Sequence, residues 1–229
     1  MDTTRIFTEQ ELEEMGARTL DLVLEAIDAG DKEKAKVLAN RMYREFNHLH
    51  DGYGIWVSGL LTYIYREMGI EAVERAEREA HTMEAKTVFK PSGKTDLRSR
   101  VKGLAGALRG HLQPITIVED DEKISLTMQP CGSGERILQS GAYGPEVGLA
   151  TIKDPHRITW GMKDFPIYCV HCPVMEMLEI ESAGNFGACH IVAEPIRHGS
   201  CQFVIYKNPK DIPDELYTQL RDEALRSNQ

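Results

Sequence analysis

The sequence predicts an α+β fold, with a helical N-terminal half packed on an antiparallel sheet and a Cys-rich C-terminal half. Three observations predict it. Apolar residues recur at spacings of three and four through the first ninety positions, the period of a helix that buries one face. Beyond Pro114 the period falls to two, in the runs Ile115-Thr116-Ile117-Val118 and Ile124-Ser125-Leu126-Thr127, as a half-buried strand requires. From there the order is hairpin, helix, hairpin, helix, which suits an antiparallel sheet with segregated helices better than a doubly wound parallel one.

Each element has its own signal. Thr8-Glu9-Gln10-Glu11 has the form of a capping box, in which hydroxyl and carboxylate satisfy orphan N–H groups reciprocally. Leu12, Met15, Leu20, Leu22, Val23, Leu24 and Ile27 then make a stripe ending near Gly30, read as one helix. Asp31 caps a second, with Leu38, Met42, Phe46 and Leu49 on one face, and Asp51-Gly52 is expected to break or kink it. A third carries Trp56, Leu60, Tyr63, Ile64 and Glu67 and stops at Gly69. A fourth, from Ile70 to Thr87, is so rich in Glu and Arg that it reads as a solvated face with a narrow apolar seam. The aromatics Tyr43, Tyr53, Trp56 and Tyr63 are expected in the core.

Lys90-Pro91-Ser92-Gly93-Lys94 is the linker signal. It divides a helical region, 1–90, suited to a lid or to dimerisation (a homo-oligomer), from an α+β Cys-rich domain, 91–229, that carries the site. A short helix is expected from Asp96 to about Arg109, and a hairpin through Asp120-Asp121-Glu122. Next comes a helix opening at Pro173 with Val174, Met177, Leu178 and Glu181 on one face. A second hairpin pairs Ala188–Glu194 with Cys201–Tyr206, and a last helix opens at Pro213.

Lys and Arg number 27 against 36 Asp and Glu, a formal net charge of −9. A phosphate-backbone binder needs a dense basic face, so nucleic acid is excluded as a partner. No apolar stretch approaches the roughly 20 residues of a membrane helix, and no apolar segment follows Met1–Arg5 as a secretory signal would demand. The expectation is a cytoplasmic protein without a membrane partner, acting on a small molecule. Its five cysteines, Cys131, Cys169, Cys172, Cys189 and Cys201, all lie in the C-terminal half. An odd number of clustered thiols in a reducing compartment points to metal or redox chemistry, not to a disulfide framework.

Cys169-Val170-His171-Cys172 is the strongest motif. Cys-x-x-Cys lets two sulfurs converge on one ion from a tight turn. It also serves dithiol redox chemistry when it opens a helix, and two half-buried structural cysteines are the plain alternative. Further donors are Cys201, which shares a strand face with Phe203 and Ile205, and Cys189, which shares one with Ile191 and Ala193 and is equally a small core side chain. His190 points the other way. Cys131 is a fourth sulfur or, uncoordinated, a nucleophile. Around it, Gly132, Ser133 and Gly134 offer backbone N–H groups to an anion, and Arg136 can clamp a carboxylate. Glu45-x-x-His48 and His81-x-x-Glu84 run in opposite senses, unlike the paired motifs of a di-iron bundle.

Tyr168-Cys169-Val170-His171-Cys172 followed by His198-Gly199-Ser200-Cys201-Gln202-Phe203 resembles the tail signature of the L-2-amino-thiazoline-4-carboxylic acid hydrolase family, and Cys131-Gly132-Ser133-Gly134 is similar to a turn in its relatives. The resemblance covers about the last hundred positions. It implies hydrolytic opening of a small cyclic amidine or thiazoline that bears a carboxylate. Where the family often carries an acid just after its Cys-x-x-Cys, Pro173, Val174 and Met175 stand here, with Glu176 the first candidate. Glu194 and Cys201 are a weaker echo of 4-vinyl-reductase-type ligand-binding domains, and so of a zinc-stabilised sensor without catalysis.

The leading expectation is a metal-containing hydrolase with zinc, or iron, on Cys131, Cys169, Cys172 and Cys201. An open coordination position would lower the pKa of bound water toward about 7. A closed four-sulfur sphere would be structural, leaving His171 as general base.

Overall fold

Among the described residues, helix formation begins at the Thr8 cap. The computed structural model describes residues 6–87, 96–183, 191–194 and 200–213. The chain divides into two units, residues 1–52 and 53–229.

In the first unit, α1 (Glu9–Gly16) starts at Thr8, whose capping box with Glu11 is complete. The helix expected to continue to Gly30 stops there. Ala17 and Arg18 are both extended, and α2 (Thr19–Asp28) starts afresh. The Arg18 guanidinium donates to both oxygens of Asp21, at 3.0 and 2.6 Å, in the new first turn. Val23 and Ala26 of α2 pack on Leu38. Gly30, with φ of 74°, takes the left-handed turn that ends α2. The next helix, α3, is continuous in its hydrogen bonding from Lys32 to Met68, so Asp51-Gly52 does not break it into two elements. Gly52, Gly54 and Gly59 all lie within it, each at a cost of about 1 kcal/mol relative to alanine, which a helix of this length absorbs.

In the second unit, α3 ends at Gly69 (φ 80°) and turns into α4 (Ile70–Thr87). The seam of α4 is less apolar than expected, for Glu74 and Glu77 are buried beside Ala72 and Val73. Glu74 accepts from Arg78 at 3.0 Å and from Arg157 at 2.7 Å, and Arg78 donates through two nitrogens to Glu181 at 2.9 Å. Helix α4 thereby docks on α7 (His171–Ala183). Helix α5 (Leu97–Arg109) follows Asp96, which caps the Ser99 N–H.

The sheet has the order β1-β2-β6-β5, all neighbours antiparallel. Its strands are β1 (Ile115–Glu119), β2 (Lys123–Met128), β5 (Ile191–Glu194) and β6 (Cys201–Tyr206). Strand β1 is an exposed edge, whereas central β6 is buried on both faces. Alternation decides which residues go where. Cys201 and Phe203 join Ile124, Leu126 and Met128 under Ala105 and Leu108 of α5. Val204 and Tyr206 point the other way, to Val174, Met177 and Ile180 of α7. Between the hairpins lie α6 (Gly134–Gln139), the short pair β3 (Thr151–Ile152) and β4 (Phe165–Pro166), and a 3-10 turn, Ile167–Val170, that runs into α7. The fold is α+β, as the pattern predicts.

Helix α7 opens at His171, two residues before Pro173. Proline is tolerated there because first-turn N–H groups have no helical partner. The expected aromatic core on α3 is overturned: Tyr53 is 55%, Trp56 61% and Tyr63 65% exposed, and Tyr43 is exposed too. Leu61, Ser58 and Thr62 occupy the buried side of the same stretch. The linker at Lys90–Lys94, Cys189, His190 and the last helix, from residue 214 onward, lie outside the described residues.

Candidate functional site

Strand register explains how distant cysteines meet. Cys201 pairs with Met128, so β6 begins beside the exit of β2, three residues before Cys131. The Cys201 thiol hydrogen-bonds the Cys131 sulfur, and the backbone N–H groups of Ser133, Glu135 and Gly134 point at it as well. Led by the Cys201 contact, these donors draw the Cys131 thiol down to about 5, against the opposing effect of burial. The N–H groups of Ser133 and Gly134, expected to receive a substrate carboxylate, are thus directed to a sulfur. Arg136 sits half-buried in α6.

Cys169, on the 3-10 turn, closes on this group from the other side. A Cβ on Gly134 would lie 2.8 Å from the Cys169 Sγ, so only glycine permits the approach. Burial pushes the Cys169 thiol well up, and charge on Cys172 and Cys131 adds to the effect. Cys172 is pushed up by burial and then by Cys131, Glu176 and Glu77. Cys169 and Cys172 therefore both sense charge on Cys131, and Cys201 meets the group through its hydrogen bond to Cys131. No three of their sulfurs, among the described residues, lie within 4.8 Å of one another.

His171 Nδ1–H donates to the Tyr168 carbonyl at 2.7 Å, which fixes the tautomer and leaves the lone pair on Nε2, 3.3 Å from the Cys172 Sγ. The Tyr168 ring meets His171 edge-on. Across from it stands His81 of α4, its ring centroid 6.4 Å away, its Nε2 3.2 Å from buried Glu77 and its Nδ1 3.1 Å from Glu84. Glu176 is fully buried and accepts from Trp160 Nε1 at 2.7 Å. The Ser133 hydroxyl bonds both His111 Nδ1, at 2.9 Å, and the Tyr168 phenol, which burial pushes up to about 12. His111 and Glu77 were not among the expected site residues. Neither sits in a local motif, and only the tertiary fold brings His111 to Ser133 and Glu77 to Cys172.

Three donor atoms do gather within 4.8 Å at Glu71, Glu74 and His156. That group is internally satisfied. Glu74 is held by Arg78 and Arg157, His156 Nε2 lies 3.1 Å from Glu71, and His156 Nδ1 accepts from the Ile158 N–H. Glu45, of the Glu-x-x-His motif, is likewise taken by Thr19 and Arg41. The thiols are soft donors converging on one region, with one already inclined to ionise, and in kind they fit zinc or iron.

In comparisons with known protein families, curated proteins and solved structures, the chain matches none. Among the described residues no helix is long and apolar enough to cross a membrane.

Proposed function

We propose that the protein is a metal-containing hydrolase of a small, carboxylate-bearing cyclic amidine or thiazoline, working in the cytoplasm. Cys131, Cys169, Cys172 and Cys201 would hold zinc, or iron in its place. The observation that supports this most is the meeting of Cys131 with Cys201, seventy residues apart, where Gly134 makes room for Cys169. Zinc bound by four sulfurs would supply a structural clamp that keeps the cysteines as thiolates.

The chemistry then falls to the chain itself. Once Cys172 is a thiolate, its proton no longer faces His171 Nε2. That nitrogen takes a proton from water as the water oxygen bonds to the C=N carbon. The π pair moves to the ring nitrogen, which is protonated in turn by His171. The adduct then collapses as its hydroxyl becomes C=O, the ring C–N bond breaks with its pair on nitrogen, and His171 passes the hydroxyl proton to that nitrogen. Arg136 takes the carboxylate. Tyr168 fixes the imidazole through its carbonyl. His171→Ala is expected to lower kcat at least 100-fold with an unchanged thermal midpoint, followed by loss of the substrate's ring absorbance. Retained ligand binding with no turnover in the unsubstituted protein would assign a sensor instead.

A second reading is favoured by the low thiol pKa of Cys131. As an uncoordinated thiolate it would itself add to the C=N carbon, and water would release the adduct. Stoichiometric alkylation of Cys131 in untreated protein separates this reading from coordination.

A further inference from the structure

Helix α3 carries an apolar stripe for which the fold has no visible use. Tyr53, Trp56, Leu60 and Tyr63 follow one another at spacings of three, four and three, and each is more than half exposed. Val57 beside them is 40% exposed. The period continues back through the sequence as Leu49, Phe46 and Met42, alternating four and three. This is the narrow seam of a coiled coil rather than the broad face of a core helix. Residues 52–65 contain no Asp, Glu, Lys, Arg or His, in a chain that is 28% charged. Depletion of charge at the centre of a patch, with aromatic enrichment, marks interfaces.

We propose that this stripe is the contact between two copies of the chain, each α3 packing on the other's seam. A seam of 3.5-residue period is best filled by a helix of the same period, and a second α3 supplies one through an isologous two-fold contact. Gly52 and Gly59 flank the stripe, and a Cβ on either would meet nothing within 4 Å, so a partner helix can approach closely there. From Tyr53 to Tyr63 the seam is about 15 Å long. Its three aromatics expose about 100–150 Å² each. With Leu60 and Val57 that amounts to about 500 Å² per copy, or about 1,000 Å² for the pair, the lower bound for a specific interface. A patch of about 500 Å² is at the upper end of what a monomer exposes, and patches of that size are often functional.

The test is the solution mass of the full chain by light scattering and sedimentation between about 1 and 100 µM, with Trp56→Glu and Leu60→Glu beside it. The expected result is a dimer that both substitutions convert to monomer, with far-UV circular dichroism unchanged. Should either variant unfold, Tyr63→Lys takes its place. A monomer at every concentration overturns the proposal, as does a dimer indifferent to all three substitutions. A chain lacking residues 214–229 that dimerises where the full chain does not would show that its own C-terminus covers the stripe, and that also overturns it.

Discussion

Gly134 is the residue on which the spacing of the thiols turns. The Cys169 sulfur occupies the place of its missing side chain. Gly134→Ala must push that sulfur away from residue 134 and is expected to cost about 1–3 kcal/mol, the range for overpacked sites, read by urea denaturation. Cys131 gives a second expectation, through its ionisation. In metal-free protein its folded pKa of about 5 lies below the ordinary 9.0. A depressed pKa contributes stability that is full above the ordinary value and is lost as pH falls toward the folded one. The stability gap between the unsubstituted protein and Cys131→Ser should therefore narrow from pH 9 to pH 5. A gap constant across that window would mean that the Cys201 and backbone contacts do not hold a thiolate.

At the scale of elements, α5 offers the simplest test of local propensity. Gly103 is exposed in mid-helix, and a Cβ there meets nothing. Gly103→Ala is expected to stabilise the fold by about 1 kcal/mol, measured as a raised denaturation midpoint. The strands were legible because periodicity of two and polar turns are local signals. The predicted hairpin around Asp120 is present, its carboxylate accepting from the Glu122 and Lys123 N–H groups. Helix ends were less legible. Nothing in the sequence around Gly16 separates a helix end from a tolerated glycine, and nothing around Gly52 marks the reverse. The acidic sequence of α4 hid its role altogether. Glu74 is buried because Arg78 and Arg157 neutralise it, and Arg157 lies far along the chain.

For the whole molecule, the register of β6 on β2 brings Cys201 beside Cys131, seventy residues away in the chain. Sequence spacing indicated Cys169 with Cys172, and strand parity placed Cys201 on a face with Phe203, as found. Of the partners that tune those sulfurs, Glu176 and the three N–H groups at Cys131 lie close by in sequence, whereas Glu77 arrives by long-range packing and carries no local signature. The outward stripe on α3 had the spacing of a core face. Helical period shows which residues share a side but not what covers that side, so the dimer proposal rests on exposure. The thiol centre itself is tested most directly by elemental analysis of the purified protein beside its Cys131→Ser and Cys169→Ser variants. One zinc or iron per chain, lost in both variants, is the predicted result. Protein without stoichiometric metal, with all its thiols freely titratable before any chelator is added, would contradict it.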